Sequence, residues 1–190
     1  MLNLKNQIIV KDYDCKKYDF YKYFFNLLKI YTENLDLLHQ YLPENLRPKE
    51  VVTLSNDQNI SIYETLYKID DGYDLKTKRK NSGFLNTFDD FLFSISKDIF
   101  NEDLIYQGRP TLRVNFPNNK AVGDWHRDRE YSHPLEEINI WVPITKSFDT
   151  NAIWIESEFD KNDYSPINVD YGQFIMFDSG LKHGNKLNVE

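Results

Sequence analysis

One cysteine is all this chain has, so Cys15 cannot close an internal disulfide or join a multi-thiolate zinc site. It reads as a small, buried or half-buried side chain. Glycine and proline are scarce as well, 7 of each in 190 residues, which argues against low-complexity linkers. No apolar run approaches the roughly 18 residues of a membrane span. The N-terminal stretch breaks into charge at Lys11 and Asp12 and carries no small-residue cleavage site, unlike a signal peptide. Positive charge is in deficit: 23 Lys and Arg against 30 Asp and Glu leave a net charge of −7, which argues against a surface that coats nucleic acid. The expectation is a cytoplasmic protein in a reducing compartment, acting on a small molecule, with neither nucleic acid nor membrane as partner. Oligomeric state is left open.

What is present is apolar and aromatic. Hydrophobic residues make up 41% of the chain and aromatics 15%, enough to bury a core, and the length fits one domain over residues 1–190. Two helical stripes dominate the first half, residues 1–104. Phe24, Leu28, Tyr31, Leu35, Leu38 and Leu42 predict one long helix stopped by Pro43, and Phe84, Phe88, Phe91, Leu92, Ile95 and Ile99 predict a second, capped at Asn81 or Ser82. A shorter helix over 61–67 and a polar loop over 70–80 lie between them. From residue 105 onward the pattern is strand-like, with strands predicted near 105–107, 111–115, 123–128, 137–143, 152–156 and 173–177. Helices followed by strands predict an α+β fold: a helical layer packed on a β-sandwich or distorted barrel.

The chemistry concentrates at Trp125-His126-Arg127-Asp128 and a distant His183. Side chains two apart on a strand point the same way, so His126 and Asp128 can converge while Arg127 and Arg129 face elsewhere. Two imidazoles and one carboxylate on one side of a metal leave positions open, which is the ligand pattern of non-haem Fe(II) oxygenases rather than of a closed structural zinc site. The competing reading is a hydrogen-bonded triad without an ion. Asp124, Asn139 and Asn185 are candidates to orient the imidazoles. His39 reads as ordinary helix surface.

The blocks RPTLRVNFP (109–117), WHRDREYSHP (125–134), EINIWVPIT (137–145), NAIWIE (151–156), YG (171–172), FDSG (177–180) and HGN (183–185) occur in that order. Together they resemble the 2-oxoglutarate- and Fe(II)-dependent oxygenases of carbohydrate and aminoglycoside biosynthetic clusters, the streptomycin-biosynthesis type related to phytanoyl-CoA hydroxylases. The resemblance covers roughly residues 105–185. It implies a double-stranded β-helix (jelly roll) core with His126, Asp128 and His183 as iron ligands. It also implies 2-oxoglutarate and O2 as co-substrates and hydroxylation of a small, carbohydrate-like or secondary-metabolite substrate.

Members of that family continue past the distal His-Gly-Asn into a last strand, whose Thr-Arg-Val-Ser-Phe supplies an Arg for the far carboxylate of 2-oxoglutarate. The present sequence ends at Glu190, before such a strand, so either it is a C-terminal truncation or another residue grips the co-substrate. Arg113 is the substitute expected, since a guanidinium fits a carboxylate bidentately, with a surface or inter-strand ion pair as its other reading. Asn139 and Trp141 share one strand face, opposite Ile138, Ile140 and Val142. They are expected to line the co-substrate pocket if the second set packs on the helices, with Trp141 alternatively a core residue; Asn185 joins them as a cofactor-side residue. Arg127, Arg129, Tyr131 and His133, with Asn151, are expected near the substrate entrance. The alternative function is a metal-binding, cupin-like isomerase or a non-catalytic sugar-binding module, separated from the first reading by whether 2-oxoglutarate is turned over.

Overall fold

The computed structural model describes residues 4–28, 33–40, 83–108, 110–111, 113, 115 and 124–190. Its strands are β1 (Ile8–Asp12), β2 (Ile138–Trp141), β3 (Trp154–Ile155), β4 (Ser165–Pro166), β5 (Gln173–Asp178) and β6 (His183–Gly184); its α-helices are α1 (Phe20–Leu28) and α2 (Gly83–Ile95). They form two three-stranded sheets, β1-β5-β2 and β4-β3-β6, every pairing antiparallel. The architecture is α+β, with a helical layer on one sheet.

β5 is the centre of this arrangement, and its sequence says why. Phe174, Ile175, Met176 and Phe177 form an unbroken apolar run, as expected of a strand covered on both faces. Alternation divides the run. Phe174 and Met176 join the aromatic core under the helices, whereas Ile175 and Phe177 join a second cluster with Ile153, Ile155, Val169 and Leu181. β2 follows the same parity: Ile138, Ile140 and Val142 pack on the helical core, and Trp141 on the second cluster.

The first core is built from rings. Phe91, 1% exposed, meets Tyr13, Phe20 and Phe174 edge-on at centroid distances of 5.2, 5.4 and 5.4 Å. Such tilted pairs add roughly 0.5–1.5 kcal/mol each beyond the apolar area they bury. The α2 stripe is as expected, with Phe84, Phe91, Leu92 and Ile95 buried. Ile99 lies on a π-turn, Ser96–Phe100, closed by Asn101 in the left-handed region at φ 53°.

Several elements differ from the sequence expectation. The long first helix is broken: α1 begins at Phe20, where Asp19 accepts the Lys22 N–H at 3.1 Å, and a separate 3-10 turn spans Leu35–Gln40. Asn34 is the reason, because its side chain accepts the Asp36 N–H at 3.0 Å and starts a new turn. The first half is also not purely helical, since β1 pairs along β5 from Ile8↔Phe177 to Asp12↔Gln173. Residues 105–107 form no strand, and Ile105 is fully exposed. Positions 111, 113 and 115 are likewise non-strand. Among the described residues 124–128 only His126 is bridged, and Asp128 opens a 3-10 turn, Asp128–Tyr131, instead of continuing a strand. Among the described residues the strands draw no closed barrel or jelly roll, and no helix is long and apolar enough to cross a membrane. The expected features at Tyr31, Leu42, Pro43, 61–67, 70–80, Asn81 and Ser82, and at Leu112 and Val114, lie outside the described residues, as does the His39 side chain.

Candidate metal centre

His126 and His183 face each other because their backbones are bridged. The His126 N–H donates to the His183 carbonyl at 3.0 Å, and the His183 N–H returns the bond at 2.9 Å. β6 is in turn fixed by β3, with Ile155 opposite His183. Asp128 reaches the same point from its short turn. Arg127 is extended (φ −114°, ψ 134°), and Glu130 folds back to accept the Arg127 N–H at 3.4 Å. A turn therefore does the work expected of a strand.

The three donor groups converge. Asp128 Oδ1 lies 3.5 Å from His126 Nε2 and Asp128 Oδ2 3.7 Å from His183 Nε2, and one donor atom from each residue lies within 4.8 Å of the others. Ligands held at about 2.0–2.2 Å from a shared ion stand roughly 3 Å apart, so a small contraction closes the set. The tautomers suit this role. His126 Nδ1 donates to the Asp124 carbonyl at 2.6 Å and His183 Nδ1 to the Leu181 carbonyl at 3.0 Å. A carbonyl only accepts, so each Nδ1 carries a proton, and loss of any proton from Nε2, which in His126 faces Asp128, leaves both Nε2 lone pairs to bind an ion.

Ionisation is consistent with a metal-binding carboxylate. Burial pushes the Asp128 carboxyl up, but bonds from His126 and Asn139 and the nearby imidazoles outweigh it and bring its pKa down to about 2. The hydrogen bond to Asp128 raises His126, and burial against Phe177 (5.1 Å between ring centroids) lowers His183. The donor set thus fits a divalent cation: one carboxylate and two imidazoles, three donors among the described residues.

An open cavity faces the triad. Arg113, Asn115, Asn139, Trp141, Asn151 and Asn185 are among its lining residues, with an apolar wall from the helical layer. The expected site residues divide. Arg113 is exposed on the cavity lining, close enough to Asp128 for the two charges to interact. Asn139 donates to Asp128 Oδ2 at 2.5 Å, so its amide is engaged with the carboxylate ligand. Asn185 donates to the Ala152 carbonyl at 3.1 Å, and Asp124 orients His126 through its backbone carbonyl, so neither side chain holds an imidazole. Asn151 Oδ1 accepts the Phe148 N–H at 2.8 Å.

The entrance residues divide too. Tyr131 is exposed and stacks edge-on against His126 at 5.8 Å, while His133 pairs with Glu137 at 2.8 Å on the cavity lining. Arg129 also lines the cavity but is tied to Asp178 at 2.6 Å. Arg127 lies apart from the other residues expected at the entrance. It is 9% exposed, turned away from the cavity and bound to Glu156 at 3.0 Å, Asp160 at 2.7 Å and Glu130 at 3.3 Å.

The acids that receive these arginines, Glu156 and Asp178, were not anticipated. Both lie within blocks that carry the resemblance, Glu156 closing NAIWIE and Asp178 inside FDSG, which is the signal the sequence offers.

No family model and no solved structure matches the chain. The chain is similar to the streptomycin biosynthesis protein StrG of Streptomyces griseus, with 42% identity over 88 residues, 45% of this chain. The matched stretch spans about two-fifths of that relative, 41% of its length. A partial relationship to a biosynthetic-cluster protein and a His-Asp-His group able to hold a metal are thus on firm ground.

Proposed function

We propose that the chain is, or belongs to, an Fe(II)- and 2-oxoglutarate-dependent oxygenase acting on a small, carbohydrate-like or secondary-metabolite substrate, built on a jelly-roll core over residues 105–190. The observation that carries the reading is the convergence of His126, Asp128 and His183 with both imidazole protons tied to backbone carbonyls. Partial similarity to a streptomycin biosynthesis protein supports the substrate class, and two antiparallel sheets meeting at the triad are compatible with part of such a core.

When bound, iron with 2-oxoglutarate and O2 would supply the oxidising chemistry that protein side chains lack. The chain's own residues do the rest. Asp128 supplies the single negative charge of the ligand set, leaving a cationic centre that attracts a keto acid. Asn139 holds one oxygen of that carboxylate and so fixes its rotation about the metal. Arg113 offers a guanidinium on the cavity lining that can pair with the distal carboxylate of the co-substrate. Trp141 walls the pocket beside Phe177 and limits water there.

The test is anaerobic titration of the full chain with Fe(II) and 2-oxoglutarate. The expected result is a weak visible charge-transfer band that His126→Ala abolishes and Arg113→Ala shifts to about 10-fold higher co-substrate concentration. No band at saturating co-substrate would overturn the assignment. Once O2 is admitted, succinate released one for one with 2-oxoglutarate consumed, measured with and without candidate substrates, separates turnover from simple binding.

A further inference from the structure

The two segments that bring the ligands together are joined by one buried acid. Glu156, 0% exposed, directly follows β3, the strand paired with β6. Its Oε1 accepts a hydrogen bond from Arg127 Nη2 at 3.0 Å and another from the Lys182 N–H at 2.6 Å. Arg127 is the residue between His126 and Asp128, and Lys182 immediately precedes His183. A single carboxylate oxygen therefore spans both halves of the ligand set. Glu156 Oε2 is also occupied, by the Asn162 N–H at 3.4 Å, and the Glu156 N–H itself donates to the Lys182 carbonyl at 2.9 Å.

The other atoms make this a dedicated arrangement. The Arg127 guanidinium carbon stands 4.7 Å from the centre of the Phe159 ring; its Nη1 donates to Glu130 and its Nη2 also to Asp160, while its Nε is buried without a partner among the described residues. None of these groups reaches the cavity. A fully buried carboxylate is costly unless paired and hydrogen-bonded, and removing one partner leaves the other charge stranded. Packing alone would be served as well by apolar residues. What the pair adds is direction: one guanidinium N–H from one segment and one backbone N–H from the other meet on the same oxygen and so fix the relative placement of the two segments.

We propose that Glu156 is a positioning residue, which through Arg127 and the Lys182 N–H sets the separation of His183 from His126 and Asp128 and so tunes metal affinity. The inference rests on the metal-centre reading. It concerns no residue that touches the ion.

Cobalt(II), whose visible bands report its own coordination, is the probe. It is titrated anaerobically into the full chain, into Glu156→Gln, into the charge-free pair Glu156→Gln/Arg127→Met, and into Val169→Ala. The last removes buried volume from the second core cluster without touching the ligands. Glu156→Gln and the double variant should bind cobalt at least about 10-fold more weakly, with altered visible bands, as losses in outer-shell support commonly do. Val169→Ala, destabilised by core truncation, should stay within about twofold of the parent with its spectrum unchanged. Arg127→Lys, which keeps a cation against Glu156 but not the fork, should fall between.

Parent-like affinity and spectrum in any folded Glu156 variant, or an equal loss in Val169→Ala, would overturn the proposal. So would failure of all the Glu156 and Arg127 variants to fold, because the pair would then serve the fold as a whole. A parent chain that binds no cobalt would instead defeat the metal-centre reading itself.

Discussion

Gly184 stands one residue after a proposed ligand, where the indole of Trp125 comes down onto its backbone. A Cβ built there would lie 2.9 Å from the Trp125 ring, which also packs against Tyr164 at a centroid distance of 4.3 Å. Gly184→Ala should therefore cost about 1–3 kcal/mol of stability through overpacking and weaken cobalt binding as well. Chemical denaturation and metal titration of the same variant check both effects, and unchanged values for both would contradict the close approach. At this scale the sequence was most informative about the triad, because His-x-Asp with a downstream His-Gly-Asn carries its chemistry in residue type. It was least informative about Arg127, Glu156 and Asp178. An Arg beside a ligand looks like a substrate contact, and an acid at a strand end looks like surface. Which way a side chain turns depends on what folds against it.

At the scale of elements, capping chemistry decided where the first helix begins. Asp19 accepts the Lys22 N–H at 3.1 Å and the Tyr171 hydroxyl at 3.3 Å, so it ties α1 both to its own first turn and to the segment before β5. Asp19→Ala should lower stability by about 1 kcal/mol. A reduced urea midpoint at unchanged slope would report that loss, and an unchanged midpoint would show the cap to be dispensable. The apolar stripes of α1 and α2 were legible because helical periodicity needs no distant partner. β1 was not, since Ile8–Asp12 has only two consecutive isoleucines and a valine before charge intervenes. Its strand state comes from pairing with β5. β3 falls inside the strand expected over 152–156, whereas β4 and β6 are two residues each, too short for an alternation to register in sequence.

For the molecule as a whole, a metal that binds only the folded chain must stabilise it. At free metal about 100-fold above the dissociation constant the gain is about 2.7 kcal/mol, or roughly 5–11 °C in Tm for a chain of this size. Scanning calorimetry under anaerobic conditions should show that rise, its reversal by chelator and its absence in His183→Ala; a shift that survives His183→Ala would place the metal elsewhere. The sequence by itself determined the donor types, the helical stripes and the buried character of β5, because each is a property of residues close in the chain. Tertiary structure alone decided that Asp128 arrives on a turn, that Arg127 faces away from the cavity, and that one oxygen of Glu156 joins the two ligand segments. Hydrogen bonds between distant residues have no periodicity to read, and they exist only once the sheets have set the distances.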